Sequence, residues 1–169
     1  MTEEPLAPDS PAAITSTSVI ALFAADHVAV APDAKMYVNG GFISLLRFPT
    51  FPAILPTLGL AAVLQLPFQD TMRNHVIRLG LRGPDRQDLP VRVDAQFRVA
   101  PTKETEFGEP GLVPFGVTVT NVEFPKPAVY ELVLTFDNVE MKTYRMRAVQ
   151  SAMVVGAAPP SAPSGPIGQ

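Results

Sequence analysis

Apolar and polar positions alternate along much of the middle of the chain. The clearest stretch is residues 89–99, in which every second side chain is apolar and the others are polar or proline. The same period of two recurs in residues 75–82, 113–120, 130–136 and 144–148. Successive side chains of a β-strand point to opposite faces, so each stretch predicts a strand with one buried and one solvated face. No window shows the i, i+3, i+4, i+7 spacing of an amphipathic helix.

Turn-forming residues separate these stretches. The 19 prolines of the chain lie between apolar runs rather than inside one long run. Residues 83–88 (GPDRQD) and 137–138 (Asp-Asn) predict tight turns between strands, and residues 31–35 divide an early pair. Counting gives eight or nine strands at the spacing of a sandwich or barrel. We therefore predict an all-β fold, an antiparallel two-layer β-sandwich of immunoglobulin-like or C2/jelly-roll-like type.

Charge pairing fixes a register for two of the predicted strands. If Leu81 faces Val91, then Arg78 faces Asp94, which puts opposite charges side by side on the solvated face. Sliding by two residues would place Arg78 against Arg92, and directly opposed like charges disfavour that pairing. We predict the first register.

Residues 58–66 (LGLAAVLQL) depart from the alternation because they are apolar on both faces until Gln65. Two interpretations follow. This strand is central and covered on both sides, or its outer face meets another subunit. We favour the covered strand and keep self-association as the alternative.

Both ends of the chain differ in composition from the middle. Residues 1–17 are small, polar and acidic, and residues 151–169 are rich in proline, glycine and alanine. Such segments bury too little apolar surface to offset the entropy of ordering them. We predict disordered tails at 1–17 and 151–169 around a single domain at 18–150.

Composition excludes several classes of function. Lys and Arg number 13 against 16 Asp and Glu, a net charge of −3, which argues against a nucleic-acid or membrane-surface binder. The absence of Cys excludes disulfides, thiolate nucleophiles and iron–sulfur clusters, and two His are too few for a His-rich metal cage. We expect no metal and no cofactor. No basic residue precedes Lys35, so no secretory signal is expected and a cytoplasmic location is the default.

Several short motifs of turn residues and core hydrophobes lie along about residues 20–150. They are Ala25-Asp26-His27-Val28, Lys35 to Gly41, Phe51-Pro52 with Leu55-Pro56, the link Asp70 to His75, and Pro127-Ala-Val-Tyr130. Together they resemble an uncharacterised bacterial β-sandwich family, a domain of unknown function. The resemblance implies an antiparallel β-sandwich with no assigned activity. High Ala, Pro and Val, with nine Arg to four Lys, suit an actinobacterium.

Tyr130 has a structural interpretation. The Pro127-to-Tyr130 segment is similar to the start of a strand in immunoglobulin-like domains, where a corner tyrosine hydrogen-bonds back to the chain. This is an analogy of fold and implies no function.

The candidate chemistry is sparse. Asp26 and His27 would point to opposite faces of a strand, so they cannot act on each other, and His27 is expected outside beside Ala29. The densest polar cluster runs from Asp70 to His75, whose residue types suit a connecting turn first and a polar ligand site second.

Arginines mark one predicted surface. Arg78, Arg82, Arg92 and Arg98 would line adjacent strands, with no aromatic side chain among them to stack on a nucleic-acid base. A solvated face is the first interpretation, and an anionic protein partner is the second.

Three functions stay open at this point. The leading hypothesis is a non-catalytic β-sandwich that serves as a structural, accessory or protein-interaction module. The second is a small-molecule or carbohydrate-binding module with a loop site near residues 70–75. The third is a hydrolase-type enzyme that uses His27 or His75. The candidate binding residues are Asp70, Arg73, Asn74, His75, Arg78 and Arg92.

Overall fold

The computed structural model describes residues 15–100 and 107–151, which form ten β-strands and no α-helix. The strands are β1 (Ser18–Ala25), β2 (His27–Val30), β3 (Met36–Asn39), β4 (Leu45–Phe48), β5 (Ala53–Leu66), β6 (His75–Arg82), β7 (Asp88–Phe97), β8 (Gly111–Phe124), β9 (Ala128–Phe136) and β10 (Val139–Gln150). A single 3₁₀ turn, Phe68–Asp70, lies between β5 and β6 within this described part. The predicted tails fall almost entirely on residues outside it.

Two sheets face each other across the core. One has the strand order β1-β5-β8 and the other β4-β10-β9-β6-β7, while β2 and β3 form a separate hairpin. The core takes the inward side chains of both sheets, including Leu60, Leu79, Leu134 and Met146. Leu79, Leu134 and Met146 come from the apolar positions of the alternating stretches, because period two puts them on one face of their strands. The predicted all-β, two-layer fold is confirmed.

The strand count and one pairing differ from expectation. Ten strands are present rather than eight or nine, because residues 27–48 contain three strands of only four residues each. A pattern of four residues is too short to show its period. In addition, β4 pairs with β10 in parallel, with Leu45 opposite Arg147, so the five-stranded sheet is not purely antiparallel.

β5 is the central strand of its sheet and is covered on both sides. Leu58, Leu60 and Leu64 point into the core and are fully buried. On the other face, the β2–β3 hairpin packs over Gly59 and Ala61, so the interpretation of a covered strand is confirmed. At Gly59 and Ala61, the hairpin of this chain covers the outer face of β5, where the alternative interpretation placed a second subunit.

Small residues make room for the hairpin. A Cβ atom on Gly59 would lie 2.7 Å from Cγ2 of Val28 and 2.9 Å from the hairpin backbone. A Cβ on Gly116 of β8 would also collide with Val28. The face of β8 that carries Gly116 and Thr118 was expected to be solvated, and it is instead half-buried beneath the hairpin.

One hydroxyl fastens the hairpin to β8. Oγ1 of Thr118 accepts a hydrogen bond from the N–H of Val28 at 2.8 Å and donates one to the carbonyl of Val28 at 2.8 Å. A side chain thereby satisfies two main-chain groups that would otherwise need a neighbouring strand.

The tyrosine corner is confirmed. Tyr130 is fully buried, and its hydroxyl donates a hydrogen bond to the carbonyl of Lys126 at 2.7 Å. Its ring meets Phe124 edge-on, with the ring centroids 4.9 Å apart. This contact holds the entry of β9 against the end of β8.

The predicted register is confirmed at the charged pair and shifts further along. Arg78 lies opposite Asp94, as expected. The regular Leu81–Val91 pair does not form, because the register shifts between Gly80 and Arg82 and Arg82 then pairs with Asp88. Pro90 lies in this stretch of β7 and has no N–H to donate, which disfavours an unbroken ladder there.

We predict that Gly59→Ala weakens the fold by displacing the hairpin. Its new methyl group would overlap Val28 and the hairpin backbone, so the free energy of unfolding should fall by about 1–3 kcal/mol. Urea denaturation would measure this. Gly80→Ala is the control, because a Cβ there meets only the carbonyl of Val91 at 3.6 Å, and its stability should not fall. Equal losses in the two variants would contradict the packing described.

We also predict that Tyr130→Phe costs about 1–2 kcal/mol, because the hydrogen bond from the buried Tyr130 to the carbonyl of Lys126 is lost. Tyr37→Phe is the matched control, since Tyr37 is largely exposed on β3. Thermal unfolding of the two variants should separate them clearly. A Tyr130→Phe protein as stable as the control would show that the corner hydrogen bond contributes nothing.

Candidate functional site

The polar cluster at residues 70–75 connects the end of β5 to the start of β6. The hydroxyl of Thr71 donates to the carbonyl of Phe68 at 2.6 Å, which closes the 3₁₀ turn. Met72 adopts a left-handed φ of 72° and donates its N–H to the carbonyl of Val99. The segment is therefore a tight connection that is held to the chain just beyond the end of β7.

His75 is buried where this connection meets β6. Its Nδ1 lies 2.8 Å from Oδ2 of Asp137, and its Nε2 lies 2.8 Å from the carbonyl oxygen of Asp70. The imidazole ring stacks on Phe136 with centroids 4.9 Å apart, and Phe97 lies beyond it at 5.8 Å. Only 5% of the residue is exposed.

The partners of His75 determine its protonation. A carboxylate and a carbonyl oxygen can only accept hydrogen bonds, so both ring nitrogens donate when both bonds are made. The ring is then an imidazolium. Burial lowers the pKa of His75. The carbonyl of Asp70 and the carboxylate of Asp137 raise this pKa by more than burial lowers it, so the net shift is upward.

Asp137 is held reciprocally. Partial burial raises the pKa of its carboxyl group, but the N–H of Val76 and the His75 ring lower it more, and the net shift is downward. Oδ1 accepts from the N–H of Val76 at 2.9 Å. Asp137 and Asn138 both have positive φ, 48° and 67°, which confirms the predicted tight turn between β9 and β10.

The other loop candidates lie near the surface. Oδ1 of Asp70 is 3.2 Å from Nη1 of Arg73, an ion pair three residues apart whose arginine is well exposed. Asn74 is exposed. Phe68, which lies just before the loop, packs against the exposed ring of Phe107 at a centroid distance of 4.9 Å. The loop itself thus offers one exposed arginine and one exposed amide.

His27 lies outside, as expected. It is exposed on β2 while Val28 points inward, and its Nδ1 is 3.0 Å from Oγ1 of Thr118. Its ring contributes to the attachment of the hairpin to β8.

The outer face of the five-stranded sheet carries a concave groove. A groove of about 220 Å³ lies over Gly80 and is bordered by Arg78, Arg82 and Arg92, with Val133 and Thr135 of β9 also lining it. It contains two of the six candidate binding residues, Arg78 and Arg92, and none of the four in the loop.

Two more open depressions continue from this groove across the same face. One, of about 310 Å³, is lined by residues that include Arg86, Glu131 and Arg145. The other, of about 210 Å³, includes Val129 and Arg147. The three together follow β6, β9 and β10.

Asp94 ties two of the groove arginines together. Its Oδ1 accepts from Nε of Arg78 at 2.7 Å, and its Oδ2 accepts from Nη2 of Arg92 at 2.8 Å. The hydrogen bonds from Arg92 and then Arg78 lower the pKa of Asp94. The solvated face expected for these arginines is observed, and their positions are fixed by a shared carboxylate.

Positive charge is concentrated on this face. Arg82 pairs with Glu140 at 2.7 Å and lies 3.8 Å from Glu131. Cross-strand register places six arginines and four carboxylates on the outer face of the described strands. The arginines are Arg47, Arg78, Arg82, Arg92, Arg145 and Arg147, and the carboxylates are Asp88, Asp94, Glu131 and Glu140. This face has an excess of positive charge, although the whole chain carries −3.

Within residues 15–100 and 107–151, no three His, Asp or Glu side chains form a group that could hold a metal ion. The described part of the chain also has no helix that is long and apolar enough to cross a membrane.

Fold and groove together define an all-β sandwich domain with one charged, concave sheet face. Residues 20–149 match DUF6941, a family of unknown function, and the chain belongs to that family. No curated protein has a significantly similar sequence.

Solved structures show only distant similarity. One is the alkylpurine DNA glycosylase AlkC of Pseudomonas fluorescens bound to DNA with an abasic site analog, at 8% identity and a TM-score of 0.38, covering 79% of this chain and 30% of that one. Another is a β-glucosidase of Listeria innocua in complex with glucose, at 9% identity and a TM-score of 0.41, covering 82% and 16%. At these values the similarity assigns no function.

Sequence reasoning missed two features of the site. It did not pair His75 with Asp137, which lies 62 residues away, although an aspartate in a tight turn at a strand end was a visible signal. It also gave no role to Gly80. The only sequence signal for the groove was that glycine, which has no side chain, lies between Arg78 and Arg82 on the same face of the strand.

The His75–Asp137 pair predicts how stability changes with pH. Because the folded pKa of His75 is raised, its contribution is complete below the ordinary value of 6.5 and is lost as pH rises through the folded pKa. Because the pKa of Asp137 is lowered, its contribution is complete above the ordinary value of 3.8 and is lost as pH falls through the folded pKa. Urea unfolding between pH 3 and 9 should therefore show greatest stability between these limits.

Asp137→Asn is the matched variant, since asparagine tolerates the positive φ but carries no charge. His27 is present in both proteins, so the difference between the two curves isolates the pair. Nitrogen NMR of the wild-type ring at pH 6 should show both nitrogens of His75 protonated. A neutral ring at that pH, or identical pH profiles for the two proteins, would contradict the arrangement.

Proposed function

We propose that this domain is a non-catalytic interaction module, with a structural or accessory role, that docks an anionic protein partner on the outer face of its five-stranded sheet. The observation that carries the proposal is the arginine-bordered groove at Gly80 and the excess of positive charge around it. A net excess of positive charge on one face favours a partner of opposite sign and steers its approach.

The outer side of the five-stranded sheet is also the more open of the two sheet surfaces, which supports it as the docking face. The β2–β3 hairpin of this chain lies on the outer side of the three-stranded sheet and buries Val28 there. The outer side of the five-stranded sheet carries no such hairpin among the described elements, and three depressions follow it. Concave surface with positioned polar groups is the ordinary form of a binding site.

The state of the histidines supports a non-catalytic role. A general base needs a nitrogen lone pair within reach of a substrate. Both nitrogens of His75 are engaged with protein acceptors, and the ring is almost fully buried. His27 has its Nδ1 engaged with Thr118 of β8, and the hairpin that carries His27 lies on the three-stranded sheet, away from the groove.

Two charge-reversal variants test this proposal. Arg92→Glu combined with Arg147→Glu changes the outer face at both ends of the row of depressions. Lys35→Glu combined with Arg73→Glu makes the same change in charge away from that face. Each tagged protein is cross-linked in cells, and the bound proteins are identified by mass spectrometry.

We expect an acidic protein that is bound by the wild type and by the Lys35/Arg73 variant, and that is lost at least tenfold from the Arg92/Arg147 variant. Circular dichroism should show that both variants remain folded, because all four side chains are exposed. Equal loss from both variants would indicate nonspecific attraction, and retention by both would place the partner elsewhere. Either result overturns the proposed face.

A further inference from the structure

The backbone conformation at Gly80 does not require glycine. It lies inside β6, where glycine weakens a strand, and it is not among the residues with positive φ. A Cβ added there would meet only the carbonyl of Val91, at an ordinary contact distance of 3.6 Å. Gly59 and Gly116, by contrast, are required by the close approach of the hairpin.

The missing side chain at Gly80 is what opens the groove. Its neighbours on the outer face are Val133 on β9 and Arg92 on β7, which lie directly across the two ladders. Arg78 and Arg82 precede and follow it by two residues on the same face. A β-branched side chain at this point would fill part of the groove that Arg78, Arg82 and Arg92 border.

The guanidinium groups of Arg78 and Arg92 have N–H donors that no protein acceptor uses among the described residues. Among the hydrogen bonds of the described residues, Arg78 donates only through Nε, so its two Nη groups have no protein acceptor. Arg92 donates through Nε and Nη2, which leaves Nη1. An arginine fork with unused N–H groups at the border of a groove suits a carboxylate oxygen.

Accepting the proposed function, we propose that the Gly80 groove is the seat for one glutamate side chain of the anionic partner. Its carboxylate accepts from the Nη groups of Arg78 and from Nη1 of Arg92. Its two methylene groups lie against Val133, which is apolar and almost fully buried on the groove floor. The lining contains no aromatic ring on which a nucleic-acid base could stack.

Gly80→Thr tests the seat without removing a charge. Threonine suits a strand, and its Cβ has room, so the variant should unfold at the same temperature as the wild type or higher. Ala29→Thr is the matched control, because it adds the same side chain on the exposed face of the hairpin. The probes are a fluorescent peptide that contains six glutamates, its glutamine counterpart and a single-stranded oligonucleotide of equal charge.

We expect the glutamate peptide to bind the wild type and the Ala29→Thr protein, and to bind Gly80→Thr at least tenfold more weakly. Arg78→Lys should also weaken binding severalfold, because lysine keeps the charge and loses the fork. The glutamine peptide should not bind. In amide NMR, the peptide should shift the signals of Gly80 and Val133.

Other results overturn the inference. If Gly80→Thr binds the glutamate peptide as the wild type does, the groove is not the seat, while charge reversal at Arg92 and Arg147 can still abolish partner binding and uphold the proposed function. If the oligonucleotide binds more tightly than the peptide and competes with it, the site recognises a nucleic-acid backbone rather than a side-chain carboxylate. If no probe binds the wild type, no carboxylate seat exists.

Discussion

A strand that is apolar on both faces has to be shielded from water on both faces. β5 is such a strand, and the rest of the domain is arranged so that both of its faces are covered. Its inner leucines are buried by the five-stranded sheet, and its outer face is buried by the β2–β3 hairpin. The hairpin can approach because Gly59 and Gly116 carry no side chain. Cover on this side is therefore supplied by the chain itself, and the open, concave sheet surface of the described domain lies on the opposite side. The location of the candidate site follows from how the apolar surface is distributed.

On that opposite side, strand pairing decides where each charge lies. Arg78 and Asp94 face each other across β6 and β7, and Arg92 reaches the same carboxylate from two residues away. The ladder then shifts between Gly80 and Arg82, beside Pro90. A missing side chain and a shifted register coincide at one point, and three arginines surround it. The groove is thus a product of local backbone pairing and needs no loop to build it.

Sequence reasoning succeeded where the relevant contacts are local or join strands across a short turn. Period two located the long strands, charge pairing gave the Arg78–Asp94 register, and the entry motif identified Tyr130 as a corner residue. It failed where partners are distant in the chain. The parallel β4–β10 pair and the His75–Asp137 contact join segments that no local pattern relates. Alternation also shows which face of β8 carries small residues without showing that a hairpin covers them.

His75 is held in a structural role by its two hydrogen-bond partners. An imidazolium that donates to a carboxylate and to a carbonyl is a structural ion pair, since it offers no lone pair to a substrate. Under the proposed function, recognition rests on shape and charge, because both nitrogens of the buried His75 are already bonded to the protein. Here the two coincide, because the positive excess of an otherwise acidic chain surrounds the groove. An acidic partner would be repelled by the rest of the surface and attracted to this face, so the same asymmetry that strengthens binding also fixes its orientation.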